Sequence, residues 1–343
     1  MHVLMLGGTG FIGTHVVRVL HESGHRITVF HRGETASALP DAIAHIYGSR
    51  EHLEDFAPTL RRLAPDVVID MIAYCEQEAR TAARVLDGVV ARAVVVSSGD
   101  VYRNYSGLRG TYDGPPDPVP LSETASLRIE RFPYRSQAKG PQDWIYHYDK
   151  ILVEQAYLEQ AAFPAVVLRL GKIYGPGDPQ RHFLPYLKRL DDRRPTLILE
   201  DGQARWRWSR GYVENIAAGI ARAAEAEAIG NQVFNLAEVQ AHPELAWVQA
   251  LARLAGWHGE VVTLPKNRMP AHLKQGLDWR FHMDMETQRV RAALGSFDVV
   301  TPDDALRRTA DWERAHPPET IDAAAFDYEA EDAALAAGRM LPQ

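Results

Sequence analysis

The stretch HVLMLGGTGFIGTHVVRVL, residues 2–20, decides the fold. Residues 2–6 form a continuous apolar run without alternation, which reads as a strand covered on both faces. Gly8, Gly10 and Gly13 follow with the spacing G-x-G-x-x-G, while Gly7, Gly10 and Gly13 give G-x-x-G-x-x-G. Apolar residues then recur at helical spacing. A strand, a glycine-rich turn and a helix in this order bring backbone close to a pyrophosphate and aim the first helical amides at it. A glycine pattern alone would be weak evidence; here both flanks are the required ones.

Working outward, further buried-strand runs appear at residues 26–30, 66–70, 92–98, 165–170 and 231–238. Helical segments separate the earlier ones. This alternation predicts an α/β fold, a doubly wound parallel sheet of the Rossmann type with a smaller C-terminal substrate domain. The expected division assigns 1–176 and 211–240 to the dinucleotide-binding domain, and 177–210 and 241–318 to the substrate domain. Residues 319–343 read as an acidic, alanine-rich tail or helix. Residues 103–141, with YDGPPDPVP at their centre, are too long for an ordinary connection and read as an inserted loop.

Composition narrows the function classes. Hydrophobic residues at 46% and charged residues at 24% are globular averages. A net charge of −7 argues against nucleic acid as the main partner. Cys75 is the only cysteine, so no internal disulfide can form and a reducing compartment is expected. With no leader and no apolar run of membrane length, a cytoplasmic protein without membrane contact is expected. The histidines match no common metal-site spacing, so no metal is expected.

Five ordered pieces carry a resemblance: GGTGFIG (7–13), VVVSSGDVY (94–102), YHYDKILVEQ (146–155), LRLGKIYGPGD (168–178) and the helical segments DMETQRVRAALG and ALRRTADWERAHP. Together they resemble the extended short-chain dehydrogenase/reductase family, the group of nucleotide-sugar epimerases, dehydratases and reductases. The resemblance implies an NAD(P)-dependent enzyme that transfers hydride on a nucleotide sugar or similar anionic hydroxy or keto compound. It also implies a homodimer.

On a helix Tyr146 and Lys150 would stand one turn apart on one face, so the ammonium could lower the phenol's pKa. Tyr148, two residues from Lys150, would face elsewhere. The expected catalytic set is therefore Ser98, Tyr146 and Lys150, with Tyr146 the acid/base. Gly7, Gly10, Phe11, Ile12, Gly13, Ala73 and Lys150 are expected at the cofactor. His31 and Arg32 stand where an acidic residue would bind the NAD ribose, which favours NADP over NAD. Asp100, His182, Arg207 and Arg210 are the candidate substrate contacts, the arginines as phosphate forks.

Departures from the family pattern keep alternatives open. Forty-seven residues separate Ser98 from Tyr146, so the 103–141 loop contains an insertion, either a lid or a surface loop. Gly99 and Asp100 stand where dehydratases carry an aspartate and a glutamate, which weakens a dehydratase reading without removing it. Ser49 replaces a common adenine-contacting aspartate. A catalytically silent cofactor-sensing or RNA-binding member of the atypical branch is the other alternative.

Overall fold

The computed structural model describes residues 1–35, 39–227 and 229–339; the last four residues of the expected tail lie outside these. Eleven strands are present among them: β1 (His2–Leu6), β2 (Arg26–His31), β3 (Ala44–Tyr47), β4 (Val67–Asp70), β5 (Arg92–Ser98), β6 (Ala165–Leu170), β7 (Lys172–Tyr174), β8 (Thr196–Glu200), β9 (Arg210–Tyr212), β10 (Gln232–Leu236) and β11 (Glu260–Leu264). Seven form one sheet in the order β10-β6-β5-β4-β1-β2-β3, every neighbouring pair parallel. The order reverses between β1 and β4, and the crevice outside the carboxyl ends of the strands there is where such sheets receive ligands. Two parallel pairs, β7 with β9 and β8 with β11, stand apart from it.

Alternate residues of each central strand feed opposite cores. Val3 and Met5 of β1 pack with Val16, Val17 and Leu20 of the first helix (Phe11–Glu22), and with Ile216, Ala217 and Ile220 of helix Val213–Glu225. Leu4 and Leu6 pack on the other face with Leu60, Ala79, Leu86, Val153 and Tyr157. Each fully buried side chain of this kind contributes roughly 1.5–3 kcal/mol of transfer free energy. With both faces covered, neither side of the strand can be polar, hence the unbroken apolar runs.

Two helix starts position the site. Glu78 Oε2 accepts the backbone N–H of Tyr74 at 2.7 Å and of Cys75 at 3.2 Å, capping helix Glu76–Leu86. Asp149 is the N-cap of helix Lys150–Glu159, its Oδ1 accepting Ile151 N–H at 3.0 Å.

The insertion is ordered. It opens with a short helix, Arg103–Leu108, has one 3-10 turn at Arg135–Gln137, and is otherwise irregular. Leu121 N–H donates to Asp284 O at 2.7 Å, and Glu286 N–H to Leu121 O at 2.9 Å. Tyr102, Tyr105, Leu108, Leu121, Trp206, Trp279 and Phe281 build a third apolar cluster around it. The fully buried Arg128 grips Asp149 with both ends of its guanidinium, at 3.2 and 3.0 Å. The last helix, Tyr328–Arg339, is docked through Glu331, which pairs with Arg189 at 2.5 Å. No helix among the described residues is long and apolar enough to cross a membrane.

Candidate active site

The loop after β1 opens onto a cavity of about 410 Å³, lined by Gly7, Gly8, Gly10, His31, Arg32 and Tyr74 among others. A Cβ on Gly13 would lie 2.5 Å from Gly8 Cα, so the helix can approach the turn this closely only with glycine there. Gly7, at φ +85°, occupies the left-handed region. Phe11 and Ile12, half-buried, open the helix. This cradle of backbone facing a helix N-terminus fits a dinucleotide pyrophosphate.

At the rim, His31 Nε2 lies 2.8 Å from His45 Nδ1, and Gly33 N–H donates to His31 Nδ1 at 3.3 Å. Burial, then the neighbouring His45, lowers the His31 pKa. Arg32 is exposed and paired with Glu34 at 3.0 Å. Beneath the groove Arg50 is committed to Asp70 through two bonds of 2.7 and 2.5 Å. Burial alone would raise the Asp70 carboxyl; the Arg50 guanidinium, with the Tyr157 hydroxyl and Lys150, reverses this and holds it low.

At the carboxyl end of β5, Ser98 caps a tight turn by accepting the Asp100 N–H at 3.2 Å. Asp100 is 4% exposed. Its Oδ2 accepts the hydroxyls of Tyr148 and Tyr134, each at 2.9 Å, and Tyr134 also lies 2.9 Å from the Tyr105 hydroxyl. Asp100 Oδ1 is buried with no partner among protein atoms. Burial raises the Asp100 carboxyl, opposed by Arg128 and by the two phenols. Burial, then the Asp100 charge, pushes the Tyr148 phenol well up, and a hydrogen bond from Ser98 counts the other way. Ser98, Asp100 and Tyr148 thus meet at one point.

Tyr146 does not join them. The helix begins at Lys150, because Asp149 takes the N-cap and residues before it follow turns. The expectation that Tyr146 and Lys150 share a helix face fails on that boundary, as does the argument that set Tyr148 aside. Tyr146 is half-buried outside the cluster, its ring centre 4.8 Å from the Arg135 guanidinium. Lys150 is 4% exposed, and its Nζ donates to Ala73 O at 2.6 Å and Val96 O at 2.8 Å. Burial lowers its pKa to about 8 against the pull of Asp70 and Asp100.

The substrate candidates separate into two places. His182 and Arg210 share a small cavity with Lys172, Tyr186, Glu244 and Trp247. His182 Nδ1 lies 2.6 Å from Asp178 Oδ2, and Arg210 pairs with Glu244 at 2.5 Å. Arg207 is exposed and opens instead onto a separate cavity beside Asp284 and Glu286. Trp208 bridges the two sites, its ring centre 6.3 Å from that of Tyr105 and 5.6 Å from Lys172 Nζ. Among the described residues no three His, Cys, Asp or Glu gather as a metal ion would require.

Sequence reasoning gave no catalytic part to Tyr148, Tyr134, Tyr105, Tyr74 or Trp144. Tyr74 and Trp144, with ring centres 4.8 Å apart, wall the cavity next to Tyr148. One signal could have recovered Tyr148: Asp149 is a strong N-cap residue type, so the helix could start after it.

The model of the NAD dependent epimerase/dehydratase family matches residues 3–103 and 124–237, more than half of the chain. Among curated proteins, 2'-dehydrokanamycin reductase of Streptomyces kanamyceticus is 28% identical over 213 residues, 60% of this chain and 53% of that protein. The chain therefore spans about half the length of that relative. Among solved structures, a UDP-glucose 4-epimerase of Thermotoga maritima with UDP-glucose has a TM-score of 0.66 at 20% identity, covering 92% of this chain and 99% of that one. A UDP-glucose 4-epimerase of Thermus thermophilus with NAD has a TM-score of 0.64 at 20% identity, with the same coverage. At these identities the structural likeness speaks for the fold.

Proposed function

Because the chain belongs to the NAD dependent epimerase/dehydratase family, we propose that it transfers hydride between a nicotinamide dinucleotide and a sugar hydroxyl or carbonyl. The observation that carries this is the meeting of Ser98, Asp100 and Tyr148 at the carboxyl end of β5, beside a groove of dinucleotide character. The nicotinamide, when bound, takes or returns the hydride. Protein groups handle the proton. In the oxidising direction the substrate O–H proton passes to the Tyr148 oxygen as the Tyr148 proton moves to Asp100 Oδ2, which already accepts it at 2.9 Å. Reduction reverses both transfers. Ser98 orients the reacting oxygen. The raised pKa of Asp100 makes it a competent base, and burial keeps Tyr148 protonated between turnovers.

Geometry favours Tyr148 for this role, while the Y-x-x-x-K spacing favours Tyr146. Arg32 supports NADP: its guanidinium is exposed, and Glu34 is a partner that a ribose 2'-phosphate can replace. The epimerases of similar fold were solved with UDP-glucose or with NAD, whereas the curated relative is named for a keto derivative of kanamycin. Both substrate types lie within the proposed reaction. The test is to titrate NADPH and NADH into the purified chain and follow nicotinamide fluorescence. Saturable binding lost in Gly13→Val is expected, since that side chain would collide with Gly8. Binding of neither dinucleotide would overturn the reading.

A further inference from the structure

Beyond Trp208, away from Ser98, the cavity shared by Lys172, His182, Arg210 and Glu244 has a volume of about 10 Å³. That is room for one water at most. Arg210 is the guanidinium that the sequence assigns to substrate phosphates, yet one arm of its fork is already held, and the other, Nη1, is buried without a partner. Arg210 Nη2 lies 2.5 Å from Glu244 Oε2, both side chains 6% exposed. The other oxygen, Oε1, accepts the Tyr186 hydroxyl at 2.6 Å. Glu244 is also the first residue of helix Glu244–Leu254, where a negative charge is stabilised by the free amides. A phosphate would seek these same partners.

The remaining cations near the cleft are spent in the same manner. Arg128 is held by Asp149, Arg169 by Glu154 and Arg103 by Asp117, and Arg207 faces outward. Lys172 is left, with Arg109, whose guanidinium lies 5.8 Å from the Tyr134 ring centre, while Asp100 Oδ1 is a buried carboxylate oxygen without a partner. A diphosphate at Arg210 would find space for one water only. A sugar ring, by contrast, finds the half-buried Trp208, whose indole Nε1 is buried without a partner, and the phenols of Tyr105 and Tyr134.

We propose that the substrate is a sugar carrying no nucleoside diphosphate, neutral or amino-substituted, and that Glu244 sets this specificity by holding Arg210 in a cavity too small for a phosphate. The inference rests on the hydride-transfer reading and selects among its substrates. UDP-glucose is titrated calorimetrically into the full chain, with NADPH present and without it. No saturable heat is expected below about 1 mM. In Glu244→Gln, which frees the guanidinium, UDP-glucose affinity should rise by roughly tenfold or more. Micromolar binding by the wild type would overturn the proposal. So would a folded Glu244→Gln variant that binds no tighter. The wild-type titration decides even if that variant misfolds. A chain that binds no dinucleotide fails the hydride-transfer reading instead, and the titration without NADPH still decides the specificity.

Discussion

The dinucleotide groove and the chemical cleft occupy the same end of the same sheet but are assembled in opposite ways. The groove's phosphate cradle is residues 7–13, one turn between one strand and one helix, and its rim adds residues 31–35 and 48–51 at the ends of β2 and β3. The cleft draws Ser98 from β5, Tyr105 and Tyr134 from the insertion, Tyr148 from the turn before a helix, and Trp208 from the segment before β9. A site made by one turn is specified by local backbone chemistry. A site made by four segments is specified by whatever holds those segments together, here the Arg128–Asp149 pair and the carboxylate of Asp100.

The sharpest way to break this contrast is to exchange the two tyrosines. If long-range assembly defines the cleft, Tyr148→Phe should lower the hydride-transfer rate by about 10²–10⁴-fold, as loss of an acid/base group does. Tyr146→Phe should stay within a few-fold. Nicotinamide absorbance, with any sugar the wild type turns over, is the readout. The reverse outcome would return the role to the Y-x-x-x-K spacing. Next in size is the clamp itself. Arg128→Met leaves Asp149 buried and uncompensated, and should cost about 3–5 kcal/mol in urea unfolding. A loss below about 1 kcal/mol, the range of exposed ion pairs, would mean that the insertion is not anchored there.

A pH experiment sharpens the contrast from the scaffold side. The Lys150 pKa is lowered by burial from 10.5 to about 8. Between those values the unfolded chain binds more protons at this position than the folded one, so its contribution makes stability rise with pH across that window. The unfolding midpoints of wild type and Lys150→Met, compared at the two ends of the window, should show the rise only in the wild type. An equal rise in both would assign it to other groups. The smallest effect is expected at the rim. Arg32→Ala should weaken NADPH by several-fold while leaving NADH nearly unchanged, since one exposed guanidinium contributes little beyond the phosphate it meets. Equal changes for both dinucleotides would remove Arg32 from the selectivity.

How much could be read from the sequence follows the same division. Six of the seven sheet strands and the glycine turn are legible because fully buried strands are continuous apolar runs and because a close helix–strand contact demands glycine at residue 13. β3, AHIY, is an edge strand with exposed residues and carries no such run. The side-chain cluster was legible only in part. Ser98 and Asp100 follow from the strand that carries them. Tyr148 was lost as the acid/base because helical geometry was carried back past Asp149, the N-cap. Tyr134 lies 14 residues before Tyr148 in a stretch with no period, and only the tertiary structure brings both phenols to one carboxylate. Arg210 was marked in the sequence as a candidate phosphate fork, and the structure pairs it with a carboxylate. Its partner, Glu244, lies 34 residues away on another element, and no local pattern announces the pairing.

Asp149 has one further consequence. Its carboxylate caps the helix that bears Lys150 and Glu154, holds the Arg128 guanidinium, and accepts the Phe132 N–H at 2.9 Å. Opening the insertion would therefore leave the capping carboxylate without its guanidinium. The two cannot exchange with solvent independently, and amide protons in this irregular segment should be protected as long as those of the helix it touches. A stretch rich in glycine and proline, of the kind a protease would ordinarily cut first, is expected here to open only together with the wall of the sheet.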